Sequence, residues 1–121
     1  MYGATAAQTG ILKFEASTNQ AVCGILPNDN FLSEFIYYFF SAKKGDLVKQ
    51  AVGGAQPNIS QIKIKNTFIP ILPISDQKSI VAKLDKLSAE TKKLESIYKQ
   101  KLADLEELKK SILKKAFNGE L

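Results

Sequence analysis

The stretch that decides the fold is residues 76–118, which read DQKSIVAKLDKLSAETKKLESIYKQKLADLEELKKSILKKAFN. No proline or glycine interrupts this stretch, and Gly119 follows it directly. Large apolar residues recur at alternating spacings of four and three, which is the heptad pattern of a coiled-coil helix. The heptad assigns a pairing seam to Ile80, Leu84, Leu87, Thr91, Leu94, Tyr98, Lys101, Leu105, Leu108 and Ile112. We therefore predict one long helix here, with Ser75 as its N-cap and a terminator at Gly119.

The length of this helix has a consequence for its surroundings. A helix of ~40 residues is ~60 Å long, whereas compact-domain scaling gives residues 1–75 a body only about 25 Å across. Most of the helix is then expected to extend beyond the body, with its leucine stripe in water. Soluble proteins avoid such stripes, so we expect a partner helix from a second copy or from another protein. Polar Thr91 and Lys101 interrupt the seam and help to fix the register of an antiparallel pair.

The first part of the chain reads as short strands followed by an aromatic helix. Residues 11–15 and 21–26 are apolar runs bounded by turn residues, and the second is expected to be buried on both faces. Apolar spacing over residues 31–40 predicts a core-packed helix with N-cap candidates at 28–30. The cations and glycine of Lys43-Lys44-Gly45 predict its end.

Residues 46–75 carry weaker signals. They predict a short second helix over 46–52 and a loop over 53–58. Residues 59–64 favour either one helical turn or a short strand. Residues 67–73 are expected to be extended, because each of two prolines disfavours helix in the residue before it. The predicted fold class is α+β, a small mixed α/β body followed by one long coiled-coil-forming helix.

Composition bears on function mainly through the residue types that the chain lacks. The chain of 121 residues has 17 basic residues, all lysine, against 12 acids, and no histidine. It therefore lacks an imidazole base, and with Cys23 as its single cysteine it lacks the usual zinc ligands and a disulfide framework. The net charge of +5 is compatible with phosphate contact without demanding it. We predict a non-catalytic binding protein without a cofactor or metal.

The same features bear on location. No run of 18 or more apolar residues is present, and the start lacks the basic and hydrophobic regions of a secretory signal. A single cysteine fits a reducing compartment. We therefore expect a cytoplasmic protein that does not cross a membrane.

Three segments resemble the end of a target recognition domain in type I restriction-modification specificity subunits. They are GGAQPNIS at 53–60, IPILPISDQKSIV at 69–81 and LEELKKSILKKAFNGEL at 105–121. Asp76 stands where that family usually has Glu before Gln77. Residues 1–75 resemble the distal half of a recognition domain, and residues 76–118 resemble the conserved helix that follows it.

The resemblance implies a division of labour between this chain and its partners. The recognition domain would read double-stranded DNA, and the helix would act as a spacer, a dimerisation element and a docking surface for methyltransferase subunits. Methyl transfer and cleavage would belong to partner subunits. A single copy of the helix would satisfy its seam by forming an antiparallel homodimer.

The candidate DNA contacts are lysines and amides in the first part of the chain. Because arginine is absent, the bidentate guanine contact is not available, and base reading falls to other polar side chains. The candidates are Lys43, Lys44, Lys49, Gln56, Asn58, Lys63 and Lys65. The alternative interpretation is a structural coiled-coil adaptor with no nucleic-acid role, and the family motifs favour the DNA-reading one.

Overall fold

The computed structural model describes residues 6–49 and 59–120. Within them lie three helices: α1, Ser33–Lys49; α2, Gln61–Lys65; and α3, Ile74–Phe117. These residues contain no strand, and their one β-type contact is an isolated antiparallel bridge between Asn28 and Phe31. The described part of the chain is mostly helical with one long helix, so the predicted long helix is confirmed and the α+β class is not.

The segments predicted as strands are irregular. Residues 11–15 and 21–26 form no ladder, and the expectation that 21–26 is buried on both faces is wrong. Leu26 is 81% exposed and Phe14 is 71% exposed. A strand needs a neighbour that pairs with its backbone N–H and C=O groups, and no other described segment pairs with these two. Residues 67–73 lie outside any helix, as predicted, and likewise join no ladder.

Helix α1 is longer than its sequence signals suggest. It runs through Gly45 to Lys49, so the predicted end at Lys43-Lys44-Gly45 and the separate helix from residue 46 are both wrong. A glycine inside a helix costs up to about 1 kcal/mol. Leu47 is buried beyond Gly45 in the same helix, and burying a leucine side chain contributes about 1.5–3 kcal/mol. Packing of Leu47 therefore outweighs the local glycine signal.

The start of α1 also differs from the prediction. Asn28 is a candidate N-cap by sequence, but its side chain accepts the backbone N–H of Asn30 at 3.0 Å and closes a turn before the helix. The first carbonyl of the helical ladder belongs to Leu32, which accepts the N–H of Ile36 at 3.1 Å. The helix therefore begins without an Asx cap of its own.

The core is small and is assembled around α1. Its buried members are Ala6, Phe40, Leu47 and Ile59, and partly buried side chains such as Ile36, Phe39, Val48, Ile64 and Ile69 pack against them. Two aromatic residues of α1, Phe39 and Phe40, thus pack in the core, as predicted. Helix α2 begins at an N-cap formed by Ser60, whose hydroxyl accepts the N–H of Lys63 at 3.4 Å. For residues 59–64, the helical alternative is the one observed.

Helix α3 begins two residues earlier than predicted. The carbonyl of Pro73 accepts the N–H of Gln77 at 3.1 Å, so Ser75 lies inside the first turn and is not the N-cap. The C-terminal end of α3 agrees with the predicted terminator at Gly119. Gly119 has φ 74°, and N–H groups of Gly119 and Glu120 donate to carbonyls of Ala116 and Lys115 at 3.2 and 2.9 Å. This is the Schellman arrangement that glycine favours.

Two compact units divide the chain within α3, one covering residues 1–82 and the other residues 83–121. The functional division that we predicted, between residues 1–75 and 76–118, stays a prediction.

Gln77 ties the first turn of α3 to the segments around it. Its side chain is 0% exposed. Its Oε1 accepts the N–H of Leu32 at 2.9 Å, and its Nε2 donates to the carbonyls of Asn30 and Leu72, each at 2.8 Å. Both amide donors are therefore used inside the fold. One side chain joins α3, the entry to α1 and the segment that leads into α3.

Gln77→Glu is expected to lower the free energy of unfolding by about 3 kcal/mol or more. The new side chain has the same size but loses both N–H donors, which leaves two carbonyls unpaired and turns a carboxylate oxygen toward them. Urea denaturation followed by circular dichroism measures the change. Gln61→Glu, the same substitution at the exposed start of α2, is the matched control and should change stability by less than about 0.5 kcal/mol. Equal stability of both variants would contradict the role of Gln77.

Candidate nucleic-acid interface and helix-pairing face

Three of the predicted DNA-contacting lysines surround one open groove. Lys43 and Lys49 come from the second half of α1, and Lys63 comes from α2. The groove has a volume of about 530 Å³, and its wall also includes Asp46, Leu47, Asn66, Thr67 and Phe68. Lys43 and Lys49 both lie on α1, because this helix continues through Gly45. The sequence predicts these three lysines as DNA contacts, and the fold places them around the same groove.

The charge of this groove is positive but partly compensated. The Nζ of Lys43 lies 3.5 Å from Oδ2 of Asp46, and the two side chains are 48% and 58% exposed. An exposed pair of this kind contributes little to stability. A phosphate could therefore replace Asp46 as the partner of Lys43 at small cost. The residues that line the groove include three lysines and one carboxylate.

The remaining candidates are placed differently. Lys65 lines a smaller groove of about 250 Å³ whose other residues are mainly apolar, among them Cys23, Ile25 and Phe40. Lys44 is half-buried on α1 and lines neither groove. Gln56 and Asn58 lie outside the described residues. The structure therefore gathers only part of the predicted set into one surface.

The groove also contains polar and aromatic residues that the sequence did not single out. Asn66 and Thr67 follow α2 directly, and the hydroxyl of Thr67 donates to the carbonyl of Lys63 at 2.8 Å. Phe68 is 88% exposed beside them. Their position depends on where α2 ends, and a five-residue helix leaves little periodicity from which that end can be predicted.

The pairing seam of α3 is exposed along most of its length. Ile80 and Leu84 are half-buried, whereas the apolar seam residues from Leu87 to Ile112 are between 47% and 62% exposed. Polar Thr91 and Lys101 are exposed as well. The Thr91 hydroxyl donates to the carbonyl of Leu87 at 2.8 Å, and the Nζ of Lys101 lies 5.8 Å from the centre of the Tyr98 ring. The seam residues from Leu87 to Ile112 thus form a long and largely exposed face on the helix.

Two further findings concern the described residues as a whole. They contain no group of three or more His, Cys, Asp or Glu side chains placed to hold a metal ion. None of the helices within 6–49 and 59–120 is both long and apolar enough to cross a membrane.

The chain matches the model of a known family over residues 1–107, and that family is described as the type I restriction modification DNA specificity domain. The match includes α1, α2, the lysine groove and most of α3. The chain belongs to this family. The resemblance to this family that the sequence indicated is thereby confirmed. No solved structure matches the chain.

Curated relatives agree with this assignment. The chain is 30% identical over 117 residues to the type I restriction enzyme EcoBI specificity subunit of Escherichia coli, a match that covers 93% of the chain and 25% of that protein. It is 35% identical over 95 residues to the EcoKI specificity subunit of E. coli strain K12, covering 74% and 20%. The EcoR124I/EcoR124II specificity subunit of E. coli is 29% identical over 85 residues, covering 69% and 21%. The chain thus spans a quarter or less of each of these relatives.

Proposed function

We propose that this chain is the DNA-reading and helix-pairing part of a type I restriction-modification specificity subunit. The observation that carries the proposal is the groove between α1 and α2, in which three lysines converge inside a region that matches a DNA specificity domain. Lysine contacts to phosphates would supply affinity and orientation. Neighbouring amide and hydroxyl side chains, among them Asn66 and Thr67, would contact base edges. Gln56 and Asn58 remain proposed contacts of the same kind, as do Lys44 and Lys65.

The proposed part is non-catalytic and acts in the cytoplasm, the compartment that holds the DNA of bacteria such as E. coli. Methyl transfer and DNA cleavage would be carried out by partner subunits. Family membership favours this function over that of a structural adaptor, because the matched family is one of DNA specificity domains.

We also propose that residues 11–15, 21–26 and 67–73 become strands in a complete recognition domain. Support comes from their exposed apolar side chains, which include Leu12 at 56%, Phe14 at 71% and Ile71 at 75%. Pairing with strands from elsewhere in the longer protein would satisfy their backbone and cover these side chains. Amide exchange that stays fast in these segments after the rest of the domain is restored would contradict this proposal.

Replacing the groove lysines tests the DNA function. Lys43→Gln/Lys49→Gln/Lys63→Gln should weaken binding to duplex DNA. The slope of log K against log salt should also become shallower, by about 0.9 for each phosphate that a lysine no longer neutralises. Fluorescence anisotropy at two or more salt concentrations measures both effects. Lys92→Gln/Lys93→Gln/Lys110→Gln, on α3 outside the seam, makes the same change in net charge. Equal weakening by both triple variants would show that the groove is not the DNA site.

The methyltransferase partner is proposed from the family and from the exposed face of α3. Co-expression with the modification subunit encoded in the same genome should yield a complex that survives gel filtration. The groove variant Lys43→Gln/Lys49→Gln/Lys63→Gln should form the same complex, because docking uses the helix and not the DNA groove. A modification subunit that never co-elutes with the chain would overturn this part of the proposal.

We propose further that, in the absence of a second specificity half, α3 pairs with its own copy in antiparallel orientation. Leu94→Lys, in the middle of the seam, should shift the chain from dimer to monomer at micromolar concentration, because it would bury two uncompensated charges. Sedimentation equilibrium reads the mass directly. Lys93→Leu, the adjacent residue on the outer face, is the control and should leave the dimer intact. A monomeric parent chain, or a dimeric Leu94→Lys variant, would reject this pairing.

A further inference from the structure

The pairing seam of α3 is symmetric in the chemistry of its side chains, and the heptad alone does not require this. Each seam residue has a counterpart at the same distance from Ser96 on the other side. The counterparts are alike in chemistry. The pairs, from the centre outward, are Leu94 with Tyr98, Thr91 with Lys101, Leu87 with Leu105, Leu84 with Leu108, and Ile80 with Ile112.

We infer that two copies of α3 pair antiparallel in a single register, with the two-fold axis at Ser96. This inference rests on the proposed homodimer and specifies its geometry. An antiparallel pair places an a position of one helix opposite a d position of the other, and each counterpart pair joins one a and one d position. In this register Thr91 faces Lys101 of the second copy, and every apolar seam residue faces another apolar residue. Eight of the ten layers from Ile80 to Ile112 are then entirely apolar, and the other two are Thr–Lys layers.

Shifting the register by one heptad removes this match. A shift toward the N-terminus places Lys101 opposite Leu84 and Thr91 opposite Leu94. A shift toward the C-terminus places Lys101 opposite Tyr98, Thr91 opposite Leu108 and Lys115 opposite Leu84. Either shift leaves only four layers that are entirely apolar, because the other layers contain Thr91, Lys101 or Lys115. Because an unmatched polar residue in a seam costs stability, the centred register is favoured.

The local structure suits the Thr–Lys layer. The Thr91 hydroxyl already donates to the carbonyl of Leu87 at 2.8 Å, so it can enter a layer without an unpaired donor. Threonine is also small, which leaves room for the aliphatic stem of Lys101 opposite it. The Lys101 ammonium group can then reach the solvent at the edge of the seam, as lysines beside apolar surfaces do.

Two kinds of flanking contact oppose the register only weakly. The two-fold axis brings Glu95 near Glu95 of the second copy, and it brings Glu90 near Asp104 of the second copy. Each Glu95 carboxylate is paired with Lys99 of its own helix at 2.7 Å, and both of those side chains are at least 60% exposed. Glu90 and Asp104 are exposed as well. Repulsion between exposed carboxylates is small compared with the burial of four further apolar layers.

Three outer positions of the helix allow the register to be measured. Ala89, Ser96 and Ala103 are spaced by seven residues and lie on the side of α3 away from the seam. Cysteine is introduced singly at each position in the Cys23→Ser chain and labelled with a nitroxide. Pulsed electron paramagnetic resonance on the full chain then gives the distance between the two copies. Sedimentation of each labelled variant, compared with the parent, confirms that the label leaves the dimer unchanged.

The centred register predicts an equal distance for Ala89→Cys and Ala103→Cys, with an axial offset of ~21 Å between copies, and a shorter distance for Ser96→Cys. A register shifted by one heptad makes the first two unequal, with offsets of ~10 and ~32 Å. A parallel pair gives the same distance at all three positions. Unequal or uniform distances would overturn the register while leaving pairing intact. A monomer would overturn the homodimer as well, and neither outcome touches the DNA-binding proposal.

Discussion

The three hydrogen bonds of the Gln77 side chain are the constraint on which the arrangement of the first unit depends. They close at 2.8–2.9 Å in a position with no solvent exposure, and they involve backbone groups from residues 30, 32 and 72. Among the described residues, the segment before α1 and the segment before α3 have no strand pairing to hold them together. Because a buried amide is costly unless all of its donors are used, these bonds favour the observed placement of the first turn of α3. Gln77 thus holds these two segments together by hydrogen bonds, as a β-ladder would otherwise do.

The groove depends on this arrangement indirectly. Helix α1 begins just beyond the Leu32 N–H that Gln77 accepts, and the same helix carries Lys43 and Lys49 to the groove wall. Helix α2 contributes Lys63 and is joined to the core through Ile64. The core that holds these helices is apolar and does not include the lysines. Residues that fix the fold and residues proposed to contact DNA are therefore separate.

Local, repeated signals in the sequence predict this structure well. The long helix, its Gly119 terminator and the aromatic helix follow from apolar spacing and cap chemistry. Local signals mislead where tertiary packing determines the structure. Gly45 predicts a helix end, but burial of Leu47 carries α1 past it. Ser75 is a good N-cap residue, yet the carbonyl of Pro73 starts the ladder. Residues 21–26 have strand composition but no pairing partner in the described chain. The role of Gln77 was unpredictable because it rests on contacts 45 and 47 residues away.

The absence of arginine shapes how such a groove can recognise DNA. Lysine is a flexible point charge, well suited to phosphates but without the planar fork that selects guanine. A lysine groove therefore contributes mostly sequence-independent, salt-sensitive affinity. Sequence selection must come from side chains with directional donors and acceptors, and Asn66 and Thr67 lie in the groove with the lysines and Phe68. A good bidentate contact distinguishes its base from the wrong one by about 1–3 kcal/mol. A single reading surface of this size is limited in specificity, so joining two of them through a rigid helix pair gives more discrimination than enlarging either one.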